Sequence, residues 1–186
     1  LGVARLNQDK HDAALSALEH ALKLDPQNPD VHLNLGQAAD RRSDPMRARQ
    51  HFAAALRLAP SHVDALFNLG VICLKEDEPA AAHKWFEQVL AIEPRHADAL
   101  VNLGLIAEQK DQLDEAIAHF RHAIDIIPSS VQIRNNLANT LSLQGRYEEA
   151  REQYDVALRI SPDSVAAREG LASVCIALGR FKEGIA

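Results

Sequence analysis

The 186-residue chain is 47% hydrophobic, 25% charged and only 4% aromatic, so it is globular rather than disordered and long enough for one large domain or an array of small units. Its net charge of −6, with 26 acidic residues against 20 Lys and Arg and no basic run, argues against nucleic acid, whose phosphates call for a clustered basic face. Cys73 and Cys175 do not make a disulfide framework, and no apolar run approaches the roughly 18–20 residues of a membrane span. No signal peptide is visible, so membrane insertion is not expected and the compartment stays open, with the cytoplasm as the default expectation.

The chain opens on "LGVARL", already inside a pattern. Pro26, Pro60, Pro94, Pro128 and Pro162 follow at intervals of 34. In phase with them run the small residues Gly2, Gly36, Gly70, Gly104, Ala138 and Ala172, the alanines Ala14, Ala48, Ala82, Ala116 and Ala150, and the bulky Leu18, Phe52, Phe86, Phe120 and Tyr154. Four columns in register without an insertion define a tandem repeat. It reads as a partial unit 1–28, complete units 29–62, 63–96, 97–130 and 131–164, and a partial unit 165–186. Both ends fall inside a unit and neither carries a polar capping helix, so the expectation is a fragment of a longer protein, or open ends that stack on other copies.

Each unit predicts two helices. In 97–130, Leu100, Leu103, Gly104 and Ala107 share one helix face, "QKDQ" breaks the pattern, and Ala116, Phe120, Ala123 and Ile124 form a second stripe closed by Pro128. Small residues at 104 and 116 let the helices approach, and Phe120 fills the space between them. Pro45 and Pro79, after Asp44 and Glu78, mark the starts of second helices, where the missing N–H costs nothing. A pair this short must stack on its neighbours to bury its stripe.

The pattern strongly resembles the tetratricopeptide repeat (TPR) family over the whole chain. The family's large residue, Leu-Gly, Ala, aromatic, Ala and Pro recur in "ALFNLGVICL…AAAHKWFEQVLAIEP" (65–94) and "ALVNLGLIAE…EAIAHFRHAIDIIP" (99–128). The resemblance implies an all-α, right-handed superhelix of about five and a half repeats with a ligand groove on its concave side. His32, Arg134 and Arg168 depart from it, standing where the family has a bulky apolar residue, so looser or solvent-edged packing is expected there.

The face of each first helix opposite the pair contact is the candidate binding surface. It carries a column of Asn34, Asn68, Asn102 and Asn136, with Asp30, Asp64 and Asp98 one turn earlier. Leu33, Phe67, Val71, Val101 and Leu105 lie beside them as an expected exposed apolar strip, and Asn135 and Asn139 extend the polar character. Carboxamides hold both donor and acceptor and suit a peptide backbone. The apolar strip would take side chains, and the aspartates favour basic or hydroxyl-bearing residues. The column also resembles the asparagine ladder in the TPR arm of O-linked N-acetylglucosamine transferases. A chaperone-type carboxylate clamp is not expected, because its lysine position reads Leu33, Phe67, Val101 or Asn135.

The expected function is therefore protein binding, with an extended peptide or partner helix as ligand. The alternatives are a substrate-selecting arm of a larger enzyme, such as an O-linked glycosyltransferase, and self-association through the open ends. No phosphate loop, zinc-protease motif or nucleophile–base signature is present, so neither catalysis nor a cofactor is expected in this chain. Histidines such as His51, His119 and His122 lack the partners of a metal set and read as surface residues. Cys73 and Cys175 read as buried thiols three repeats apart, and Trp85 as an inter-repeat residue with a lesser chance of anchoring a partner on the outer surface.

Overall fold

The computed structural model describes residues 2–179, with side chains from residue 13 onward. The end of the expected sixth unit, residues 180–186 with Gly184, lies outside the described residues. Among the described residues there are ten helices and no strand. They are α1 (Gly2–Leu24), α2 (Pro29–Arg41), α3 (Pro45–Leu58), α4 (Val63–Lys75), α5 (Pro79–Ile92), α6 (Ala97–Gln109), α7 (Leu113–Ile126), α8 (Val131–Leu143), α9 (Tyr147–Ile160) and α10 (Val165–Ala177). The chain divides into two compact units, one ending at Glu93 with α1–α5 and the other beginning at Pro94 with α6–α10. Consecutive helices pack on one another within each unit, and first helices also touch across a pair, α2 with α4 and α8 with α10.

The turns explain the 34-residue phase. Each first helix ends on a residue with positive φ: Ser43 (58°), Asp77 (57°), Asp111 (60°), Gly145 (77°) and Gly179 (72°). The next N–H then reaches back five residues, as Asp44 N–H does to the Ala39 carbonyl at 3.0 Å and Glu78 N–H to the Cys73 carbonyl at 2.8 Å. This Schellman closure satisfies carbonyls that the helix end would leave bare, and it reverses the chain in three residues. The second helices then start at once, on Pro45 and Pro79 where expected, with the Asp44 carboxylate accepting from Arg47 N–H at 3.0 Å. First helices are capped by Asn28, Ser130 and Ser164, whose side chains accept from backbone N–H groups.

The partial repeat at 1–28 departs from this pattern. The counterpart of Ser43 is Asp9, yet α1 runs unbroken from Gly2 to Leu24. No glycine or proline interrupts that stretch, and a continuous helix keeps the i→i−4 bonds that a turn would break.

Inside each pair the glycine and the aromatic are matched parts. A β-carbon on Gly36, Gly70 or Gly104 would lie 2.5, 2.6 or 2.6 Å from the ring of Phe52, Phe86 or Phe120. All three rings are fully buried, worth roughly 1.5–3 kcal/mol each. The unit at 131–164 is built differently. Its small residue is Ala138, and Tyr154 lays its ring where a β-carbon of Gly170, in the following helix, would otherwise sit. Exposed ion pairs such as Arg121 Nη2–Glu149 (2.9 Å) and Lys75 Nζ–Asp40 (2.6 Å) tie one pair to the next and add little individually.

Candidate functional site

In the first unit, α2 presents Asp30 and Asn34 and α4 presents Asp64, Phe67, Asn68 and Val71. Asp30, Asn34 and Asp64 are exposed, while Phe67, Asn68 and Val71 are half-buried. The Asp30 carboxylate lies 3.1 Å from His62 Nε2, which links the start of α2 to the cap of α4. Asn68 Nδ2 donates back to the Asp64 carbonyl at 2.7 Å, so its amide is fixed by its own helix. Its carboxamide oxygen has no partner among the described residues.

The expected exposed apolar strip needs correcting. Leu33 is buried, 8% exposed, within the core that holds Phe52 and Ile72. Helix α2 packs on α1, α3 and α4, so it is buried over a wider arc than a contact with one partner implies. Phe67 is likewise drawn inward, its ring 5.6 Å from that of Phe86 and tilted by 52°. In the second unit, Val101 and Leu105 on α6 are half-buried, not fully exposed.

The second unit repeats the amide geometry. Asn102 Nδ2 donates to the Asp98 carbonyl at 2.8 Å, with Asp98 exposed and Asn102 half-buried. On α8, Asn136 and Asn135 are half-buried and Asn139 is exposed. Asn139 Oδ1 accepts from the Tyr154 hydroxyl, so this amide is held by the aromatic of its own pair. Asn135 Oδ1 is buried with no hydrogen-bond partner, an orphan acceptor costing about 1–3 kcal/mol. Beside Asn139, a cavity of about 340 Å³ opens onto Ser142, Tyr154, Gly170 and Ser173. It lies where the asparagine column would continue, had Gly170 been the fifth member. Burial pushes the Tyr154 hydroxyl above its usual pKa, so it stays a neutral donor.

Several partners were not foreseen. Thr140, fully buried in a column that reads Ile72 and Ile106 elsewhere, donates to the Glu108 carboxylate and lies 2.9 Å from the Asn136 carbonyl oxygen. Only its break from an aliphatic column hinted at this. Arg134 and Arg168 are anchors, their guanidinium groups donating to the Pro128 carbonyl (2.7 Å) and the Pro162 carbonyl (2.6 Å) at the end of the preceding second helix. The half-buried His32 meets His51, Nδ1 to Nδ1 at 3.2 Å, and burial together with His32 and Arg47 lowers the His51 pKa. Cys73 and Cys175 are buried thiols outside any disulfide, as expected. Among the described residues, no three metal-ligating side chains converge, and no helix is long and apolar enough to cross a membrane.

Tetratricopeptide repeat models match residues 34–93, 95–163 and 141–186, and a TPR repeat model matches residues 2–39. No curated protein sequence matches the chain. Among solved structures, pilF of Pseudomonas aeruginosa superposes with a TM-score of 0.81 at 20% identity, covering 99% of this chain and 85% of its own. YrrB, described as a TPR protein with an unusual peptide-binding site, gives 0.79 at 17% identity over 91% of this chain and 87% of its own. MamA gives 0.75 at 25% identity over 87% and 95%.

Proposed function

The chain belongs to the tetratricopeptide repeat family, and from that premise we propose that it is a non-catalytic protein-interaction module whose first-helix faces hold an extended segment of a partner protein. The observation that carries this reading is the treatment of the asparagines. In Asn68 and Asn102 the amide N–H is turned back onto the helix, which leaves the carboxamide oxygen as a fixed acceptor for a peptide N–H. Within each unit, first helices about 8–10 Å apart would set their two rungs roughly three residues apart along an extended strand, which advances about 3.3 Å per residue.

The rest of the face suits the same ligand. Phe67, Val71, Val101 and Leu105 offer a half-buried apolar floor for alternate side chains. Asp30, Asp64 and Asp98 add exposed carboxylates that favour Lys, Arg, Ser or Thr over acidic residues. The peptide-binding character of YrrB supports the ligand class.

The test is NMR of the protein titrated with dodecapeptides selected on it from a random library. The side-chain amide resonances of Asn34, Asn68, Asn102 and Asn136 are expected to shift together and saturably. Shifts confined to other surfaces would refute the assignment.

A further inference from the structure

A second surface of the first unit carries features that the asparagine face does not use. Between α3 and α5, over Leu69 of α4, lies an open hollow of about 320 Å³ lined by Ala53, Leu56, Leu69, Trp85, Arg49 and Arg57. That is the small end of the range for ligand pockets, room for one large side chain. Leu56 and Trp85 are half-buried and pack against the core of the unit, so the floor is rigid. The Trp85 side chain lines the hollow while packing against that core.

The two arginines at the rim are not equivalent. Arg49 is held by two carboxylates, Glu78 at 2.9 Å and Glu76 still closer, so its charge is already met. Arg57, eight residues or about 12 Å further along α3, is exposed in the last turn and has no ion-pair partner among the described residues. In a chain of net charge −6, the hollow thus has one end already rich in carboxylate and one end offering an unpaired cation. Tryptophan and arginine around a small apolar recess are also the residue types that dominate binding energy at protein interfaces.

We propose that this hollow is a second docking site, which takes a leucine- or phenylalanine-sized side chain from a partner chain whose adjacent carboxylate pairs with Arg57. The apolar side chain displaces water from Leu56 and Trp85, and the carboxylate sets the direction in which the partner segment runs. The excess carboxylate around Arg49 disfavours the reverse direction and a doubly acidic ligand. The site stands apart from the asparagine face and does not depend on it.

The chain has one tryptophan, so Trp85 emission reports this site directly. The probes are amidated dodecapeptides with a central Leu or Phe next to Glu on a Gly-Ser background, with Gln in place of Glu as the matched control. Glutamate peptides are expected to shift Trp85 emission saturably below about 1 mM. Glutamine peptides, and the surface variant Arg57→Gln with glutamate peptides, are expected to bind roughly tenfold more weakly. Equal binding of both peptide types, no effect of Arg57→Gln, or no saturable shift with any peptide would each overturn the proposal.

Discussion

Tyr154 lays its ring where a β-carbon of Gly170 would stand, so an aromatic from one helix pair occupies space that belongs to the next. Phe52, Phe86 and Phe120 instead meet Gly36, Gly70 and Gly104 of their own pairs. Putting an asparagine at 170 would complete the surface column yet collide with a buried ring. We expect Gly170→Asn to destabilise the fold by about 1–3 kcal/mol, as overpacking does. Gly70→Ala is expected to fall in the same range. Chemical denaturation checks both, and combining Gly170→Asn with Tyr154→Leu should recover part of the loss.

The turn residues give a prediction of opposite sign. Ser43 adopts a positive φ of 58° that suits glycine, whereas Asp77 at 57° is of a type that tolerates the left-handed region better. Ser43→Gly is expected to stabilise by about 0.5–1 kcal/mol and Asp77→Gly by less. At Gly145, where φ is 77° and nothing stands near an added β-carbon, Gly145→Ala should cost about 1 kcal/mol through the backbone alone. Thermal midpoints of the three variants decide this.

Asn135 occupies a column that elsewhere reads Leu33, Phe67 and Val101, and its carboxamide oxygen is buried without a partner. Asn135→Leu keeps the size and removes the orphan acceptor. The expected outcome is a gain of about 1 kcal/mol, seen as a thermal midpoint higher by several degrees. A loss would mean that the amide does hold a partner.

Acid is expected to weaken the first unit through His51. Its pKa is lowered from 6.5 in the folded chain, by burial first and then by His32 and Arg47. The unfolded chain therefore binds the proton more readily. Stability is complete above about pH 6.5 and is lost as pH falls through the lower folded value. The thermal midpoint of the wild type should drop more steeply on acidification than that of His51→Gln. Parallel curves would remove His51 from the account.

Much of this was legible because a 34-residue phase repeats each constraint. Gly70, Phe86 and Pro79 state one packing rule three ways, and the structure obeys it. What stayed hidden depends on three-dimensional neighbours that a periodic reading averages away. Leu33 looked like a groove residue because a helical wheel assumes one buried side, while α2 has three packing partners. Gly170 breaks the asparagine column for a reason that only the packing shows, a hydroxyl-bearing ring from the preceding pair. Arg134 and Arg168 looked like defects in an apolar column, and instead they reach the preceding Pro128 and Pro162 carbonyls. The continuous α1 was invisible for another reason: its residues keep the phase, and only the backbone at Asp9 does not turn.

The central claim is that asparagine rungs on the first helices hold a partner backbone. Its most direct test is calorimetric titration of a library-selected peptide into the wild type and into the quadruple variant Asn34→Ala, Asn68→Ala, Asn102→Ala, Asn136→Ala, with thermal unfolding of both. Each lost hydrogen bond is worth about 0.5–1.5 kcal/mol, so the account predicts at least a roughly tenfold loss of affinity with little change in the unfolding midpoint. An affinity that survives all four substitutions would contradict it.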